Sequence, residues 1–207
     1  MTKAGDEIMK AEDAAELMET HKHSDAFKQR AAIFIAFLAM LLSITGIGGQ
    51  NASKEILNNN ILASNAFNFY QAKNIRQTSL SLAADEFELA WSATPGLGDE
   101  ARAALKKKAD GYKANVARYE SEPATGEGKK ELLLRARAHE EVRDHAMKQD
   151  PYFDYAEGLL QIAIVLISVS IVAELIWLSF LGGALGLGGA LFMINGFFLL
   201  VEIPGLS

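Results

Sequence analysis

Between Gly158 and Val201 the chain carries a single charge, Glu174, in 44 residues. A helix needs roughly 20 apolar residues to cross a bilayer core of about 30 Å, and each residue adds about 1.5 Å of rise. The stretch is too long for one crossing and about right for two. Five glycines, Gly182, Gly183, Gly186, Gly188 and Gly189, fall where the chain would have to reverse. The expectation is a transmembrane hairpin, which makes the chain an integral membrane protein.

A second uncharged run, Ala31 to Gly49, is bounded by Lys28 and Arg30. It reads as a first span, with Gly46, Gly48 and Gly49 allowing a bend where the chain leaves the bilayer. The mean hydropathy of +0.08 therefore averages two unlike parts. Outside the apolar runs the chain is polar and charged. The net charge is −6, and no basic cluster forms a nucleic-acid footprint. Lys106, Lys107 and Lys108 read as a solvated helix face, so nucleic acid is not an expected partner. There is no cysteine, which excludes disulfides, thiol catalysis and cysteine-bound metal.

Residues 1–30 form a polar tail with five Lys or Arg and seven Asp or Glu. A signal peptide would place its apolar run directly after a short basic start, so the tail is expected to be retained as a marginal amphipathic helix or a disordered segment. His21 and His23 are spaced to meet a metal, but no third ligand is near, and they read as solvent-exposed.

From Asn51 to Trp91 no proline or glycine interrupts the chain. Ile61, Asn68, Ile75, Leu82 and Leu89 recur every seven residues, as the seam of a coiled coil does. The neighbouring seam positions Ser64, Ala72 and Ser79 are small or polar. Asn58, Asn59, Asn60, Asn65, Asn68 and Asn74 weaken a lone helix, so the segment needs partners. Thr94 to Gly98 reads as a turn, with Asp99 capping a helix to Glu120 that packs through Ala101, Leu105, Tyr112, Val116 and Tyr119. Pro123 and Gly126 to Gly128 mark a second turn, and a third helix runs from Lys129 to Gln149. Asp150 and Pro151 look like a cap and first helical residue, followed by Tyr152, Phe153 and Tyr155 as an aromatic belt. Trp177 and Phe180 are expected at the opposite membrane face.

The expected fold is an all-α membrane protein: three transmembrane helices plus a long-helix coiled-coil or bundle extramembrane region. The segments are a tail 1–30, a first span 31–49, an extramembrane hairpin or bundle 50–150, a second span 151–180 and a third span 184–203. Lys22, Lys28 and Arg30 precede the first span and only Lys54 closely follows it. By the positive-inside rule the amino terminus is cytoplasmic and 50–150 lies outside, periplasmic in a bacterial inner membrane. Arg143 and Lys148, just before the second span, argue the other way.

Three polar residues fall within the apolar runs. Glu174 is placed near the hairpin tip, either as a proton or cation relay or as a shallow carboxylate paired with Lys28 or Arg30. Asn195 is placed nearer the midplane, level with Ser43 and Thr45, where interhelical hydrogen bonding is worth about 1 kcal/mol. Gly182, Gly186 and Gly188 have small-residue spacing that lets helices approach closely. A phosphate-cradling loop fails there, because the context is apolar and the required Lys, Ser or Thr does not follow. His139, Glu140, Glu141, Asp144 and His145 are the densest ligand-type residues. The histidines are six apart rather than four, so they do not converge on one helix face as a zinc-protease pair does. No nucleophile elbow, paired glycosidase-like carboxylates or dinucleotide motif is present.

With the spans placed, three segments carry a resemblance: Phe69-Tyr70-Gln71-Ala72-Lys73-Asn74-Ile75-Arg76, Tyr155 to Ala163, and Asn195-Gly196-Phe197-Phe198. The chain resembles, from about Lys28 to Val201, a bacterial membrane-protein family catalogued only as a domain of unknown function. Tyr70-Gln71-Ala72-Lys73 is its most specific part. The resemblance implies three spans with a helical extramembrane part and carries no activity, cofactor or functional residue. The residues themselves point to a non-enzymatic structural or interaction protein, a homo-oligomer joined through its extramembrane helices and glycine-rich spans. Membrane lipids and other membrane or envelope proteins are its expected surroundings. The alternative is a subunit of an oligomeric channel or transporter with Glu174 and Asn195 facing a lumen. No cofactor or metal is expected.

Overall fold

The computed structural model describes residues 3–204, with side chains from residue 26 onward; the side chains of His21 and His23 lie outside the described residues. The protein is all-helical: α1 (Lys3–Ala93), α2 (Asp99–Glu120), α3 (Lys129–Ala173) and α4 (Ile176–Phe198). Three helices, α1, α3 and α4, are long and apolar enough to cross a membrane. The chain divides into two compact units: one pairs α1 up to Ser53 with everything from Met147 onward, and the other is Lys54–Ala146.

In the membrane-type unit, α1, the later part of α3, and α4 pack around Ala31, Leu38, Leu160, Ala163 and Ile167. Leu38, Leu160 and Ile167 are among the largest fully buried side chains. Thr45 is fully buried and donates to the carbonyl of Leu41, so its hydroxyl needs no partner from another helix. Ser170, also fully buried, is hydrogen-bonded to Ser179 across the α3–α4 pair.

Helix boundaries differ from the sequence reading in four places. Gly46, Gly48 and Gly49 do not end α1, which continues through them as helix. A Cβ at Gly48 would lie 2.5 Å from the ring of Phe153, and one at Gly49 would lie 3.3 Å from its Cβ. These glycines are notches for an aromatic ring. Asp150 and Pro151 do not start a helix, because Pro151 lies inside α3. An interior proline costs a hydrogen bond to the carbonyl four residues earlier. Packing overrides that cost, since Ala146, Phe153, Leu160 and Ile167 recur every seven residues on the buried face. Asp150 instead accepts a hydrogen bond from Ser53 at 3.0 Å.

The reversal between α3 and α4 is at Glu174 and Leu175, not at the glycines. The second membrane helix thus ends at Ala173 rather than residue 180, and the third begins at Ile176 rather than residue 184. Glu174 takes a left-handed backbone, with φ of 55°, the conformation that ends a helix most cheaply at glycine. The glycines lie within α4, where Gly182, Gly186, Gly189 and Gly196 are buried. Finally, Asp99 is the first residue of α2 and not its cap. Gly98 holds the N-cap position without a side-chain bond.

In the Lys54–Ala146 unit the buried apolar side chains are Ala63, Ala66 and Ala84 on α1, Ala109 on α2, and Leu132, Ala136 and Ala146 on α3. Small side chains predominate, so the core is thin and brings the backbones close together. Phe87 and Tyr112 add a ring contact with centroids 5.7 Å apart. The expected inner face of α2 holds for Leu105, Tyr112, Val116 and Tyr119, which are half-buried, while Ala101 is exposed.

Candidate functional site

Two features of the Lys54–Ala146 unit stand out: a polar clamp on one face of α1 and an uncovered stripe on the other. The clamp is built from Tyr70, Lys73, Asn74 and Gln77, whose spacing over about two helical turns places them on or beside a single face. Lys129, the first residue of α3, donates to Asn74 Oδ1 at 2.8 Å and to Gln77 Oε1 at 2.7 Å. Its Nζ lies 3.4 Å from Glu120 and 5.4 Å from the centre of the Tyr70 ring. Gln77 donates in turn to the carbonyl of Val116 at 3.1 Å and to Glu120 at 3.2 Å. The Glu120 carboxyl is therefore held below its ordinary value, first by the Gln77 hydrogen bond and then by the Lys129 charge.

Lys73 is buried. Its Nζ lies 3.6 Å from Glu127, 3.8 Å from Glu122 and 5.5 Å from the centre of the Tyr119 ring. The α2–α3 loop is closed by Glu131, which accepts from Ser121 at 2.6 Å and from the backbone N–H of Glu122 at 3.1 Å. A Cβ at Gly128 would meet the Glu122 backbone at 2.3 Å, so only glycine fits there. Two lysines thus tie α1 to the α2–α3 connection, Lys73 beside two carboxylates and Lys129 beside one, each near an aromatic face. No buried side-chain polar atom lacks a partner among the described residues. Apart from Lys73 the network is half-buried or exposed, and its cations and carboxylates are engaged with one another.

Ile61, Asn68, Ile75, Leu82 and Leu89 occupy the opposite face of α1. All five are exposed, the four apolar ones between 58% and 67%. Leu57 extends the same stripe at 65%. Ser64, Ala72 and Ser79 between them are exposed as well. The face that α1 spends inside its own unit is a second period-seven series, Asn59, Ala66 and Lys73, which sequence reasoning missed. In the membrane-type unit the same period runs through Ala31, Leu38, Thr45 and Ala52. The signal was the period itself, masked because Ala, Thr, Asn and Lys do not look apolar.

The intramembrane polar candidates are satisfied separately. Glu174 lies 3.5 Å from Lys28. Ser43 donates to the carbonyl of Ala39. Asn195 is not at the middle of its helix. It stands in the last turn of α4, donating to the Val201 carbonyl at 2.8 Å and accepting from the Val201 N–H at 2.9 Å. Tyr152 completes this latch, donating to the Val201 carbonyl and accepting from the Ile203 N–H. Asn195 was misplaced because the third span was counted from the glycines rather than from Glu174. Glu174 and Asn195 mark opposite ends of α4 and are not brought together. Of the packing glycines, Gly182 would drive a Cβ to 2.7 Å from Ile167 and Gly186 to 2.9 Å from Leu38. Gly188 has only an ordinary 3.8 Å contact with Leu159.

His139 meets Asn59 at 2.9 Å and Asp144 pairs with Arg143. Among the described residues no group of three or more His, Cys, Asp or Glu is placed to hold a metal ion.

These features define a class: an all-helical protein with three apolar helices of membrane-crossing length and a thin-cored helical unit clamped by lysines. Residues 27–199 match the family described as a domain of unknown function, DUF4337, and the chain belongs to that family. No curated protein and no solved structure matches the chain. The Tyr-Gln-Ala-Lys segment that carried the resemblance supplies two members of the clamp, Tyr70 and Lys73, while Gln71 and Ala72 are exposed.

Proposed function

We propose that this is a non-enzymatic bacterial inner-membrane protein that assembles as a homo-oligomer and serves as a structural or interaction scaffold. One observation carries the reading. The heptad stripe Ile61, Ile75, Leu82 and Leu89 is exposed while the other face of α1 is already spent on α2 and α3. Apolar side chains repeating every seven residues over several heptads are the pattern by which helices associate. Exposed large apolar side chains aligned on one face of a polar helix are a candidate interaction site. The buried glycines of α4 serve the protomer's own packing, so the assembly is assigned to the extramembrane stripe.

In this reading the amino terminus is cytoplasmic and residues 50–150 are periplasmic. Lipids surround α1, α3 and α4 in the membrane, and other envelope proteins are further candidates for the scaffold's surface.

The test is the mass of the purified full-length protein in mild detergent, by light scattering after size exclusion. Wild type is expected as an oligomer that persists on dilution. Ile75→Glu with Leu82→Glu is expected to yield monomer with unchanged helical circular dichroism. A monomeric wild type refutes the reading.

A further inference from the structure

We infer that the stripe is covered by one second copy of this chain, parallel and in register, with Asn68 opposite its own counterpart. The inference rests on the homo-oligomer reading and adds copy number, direction and register. Two copies inserted in the same sense in one bilayer are related by rotation about its normal, which makes their α1 helices parallel. Residue i then faces residue i. An antiparallel pairing would require one copy to be inverted.

The stripe suits that arrangement chemically. From Ile61 to Leu89 it spans four heptad steps, about 42 Å of helix, and four of its five positions are Ile or Leu. Asn68 is the exception. It is exposed and makes no hydrogen bond with any described residue. Its amide carries both a donor and an acceptor, so an identical amide across a two-fold axis satisfies it. The small residues Ser64, Ala72 and Ser79 let the backbones come close enough for that short side chain to reach. A lone Asn in an apolar seam specifies register and two strands, at a cost in stability. The protomer offers one such stripe on α1, because the other face is taken by α2 and α3. A two-fold pair uses this one stripe on each copy, and the lone Asn68 is what sets the number at two.

Glu86 lies on the stripe between Leu82 and Leu89 and is exposed. It is the place where a symmetric pair brings like charges together. Glu86→Gln is therefore expected to tighten the pair rather than weaken it.

The absence of native cysteine makes the test direct. Single substitutions Ile61→Cys, Ile75→Cys and Leu82→Cys on the stripe, with Phe69→Cys and Arg76→Cys off it, are oxidised in membranes of cells making the full-length protein. Disulfides require Cα atoms about 4.4–6.8 Å apart. The three stripe positions are expected to give a dimer band and the two controls little or none. Cross-linking at the controls as strong as on the stripe, or at no stripe position, overturns the inference. If the wild type is then still oligomeric by light scattering, the scaffold reading stands and only the seam is wrong. A monomeric wild type removes both. Asn68→Val is expected to add species larger than two copies. If that variant stays wholly dimeric, Asn68 does not set copy number.

Discussion

Glu120 shows how the clamp responds to protons. In the folded chain its carboxyl is held below the ordinary 4.5 by the hydrogen bond from Gln77 and the charge of Lys129. A depressed carboxylate contributes stability that is fully present above the unfolded value and is lost as pH falls through the folded one. Glu120→Gln keeps an acceptor for Gln77 and removes the charge. The variant is expected to melt below wild type at pH 7, with the gap closing as pH falls through 4.5 and below, by thermal circular dichroism of full-length protein in detergent. A gap that is constant across that range counts against the clamp. Lys113 behaves in the opposite sense. Its amine is raised above 10.5, chiefly by the hydrogen bond to Glu88, so its contribution persists through neutral pH and fades only in strong alkali. None of this was legible residue by residue. Lys129 and Gln77 are 52 positions apart, and no local pattern tells which glutamate a lysine will find. The Tyr70-Gln71-Ala72-Lys73 motif flagged the right turn of helix without revealing its purpose.

Helices were more legible than their ends. Runs of apolar residues identify crossings because every backbone polar group in hydrocarbon must be answered within the helix. The reversal at Glu174 was hidden because glycine is the expected residue for a left-handed turn, and here the chain uses a glutamate paired with Lys28. The glycines of α4 are instead selected by what presses on them. A Cβ at Gly189 would sit 2.8 Å from Leu160 Cγ and 3.1 Å from the Ala156 carbonyl, while the space at Gly188 is ordinary. A backbone carbonyl cannot step aside as a flexible side chain does. Gly189→Val is therefore expected to destabilise the helical bundle by about 1–3 kcal/mol, the usual cost of overpacking. Gly188→Val is expected to stay within about 0.5 kcal/mol, the range of substitutions clear of the core. Unfolding in mixed detergent and dodecyl sulfate micelles reads both. Equal losses at the two positions contradict this packing of α4 on α3.

At the scale of the whole molecule the open matter is direction. If all three helices cross, the α3–α4 turn lies on the side of the membrane from which α1 enters, and residues 50–150 on the other. Basic residues occur at both ends of the spans: Lys28 and Arg30 before the first, Arg143 and Lys148 before the second. Acids count little in the positive-inside rule, so the pairing of Lys28 with Glu174 and of Lys148 with Glu202 does not cancel either set. The first span usually dominates, and it is preceded by Lys22 as well. On that rule the expected orientation has the turn in the cytoplasm and α2 outside. Two exposed reporters separate the possibilities, Lys107→Cys on α2 and Leu175→Cys in the turn. With a membrane-impermeant maleimide on intact cells, Lys107→Cys is expected to label, and Leu175→Cys only after lysis. The reverse pattern inverts the protein and sends the search for its partners to the cytosol. Labelling of both positions, or of neither, is incompatible with α3 crossing the membrane between them. In that case the helices long enough to cross would not all be crossings, and the parallel pairing of α1 would lose the shared orientation on which it depends.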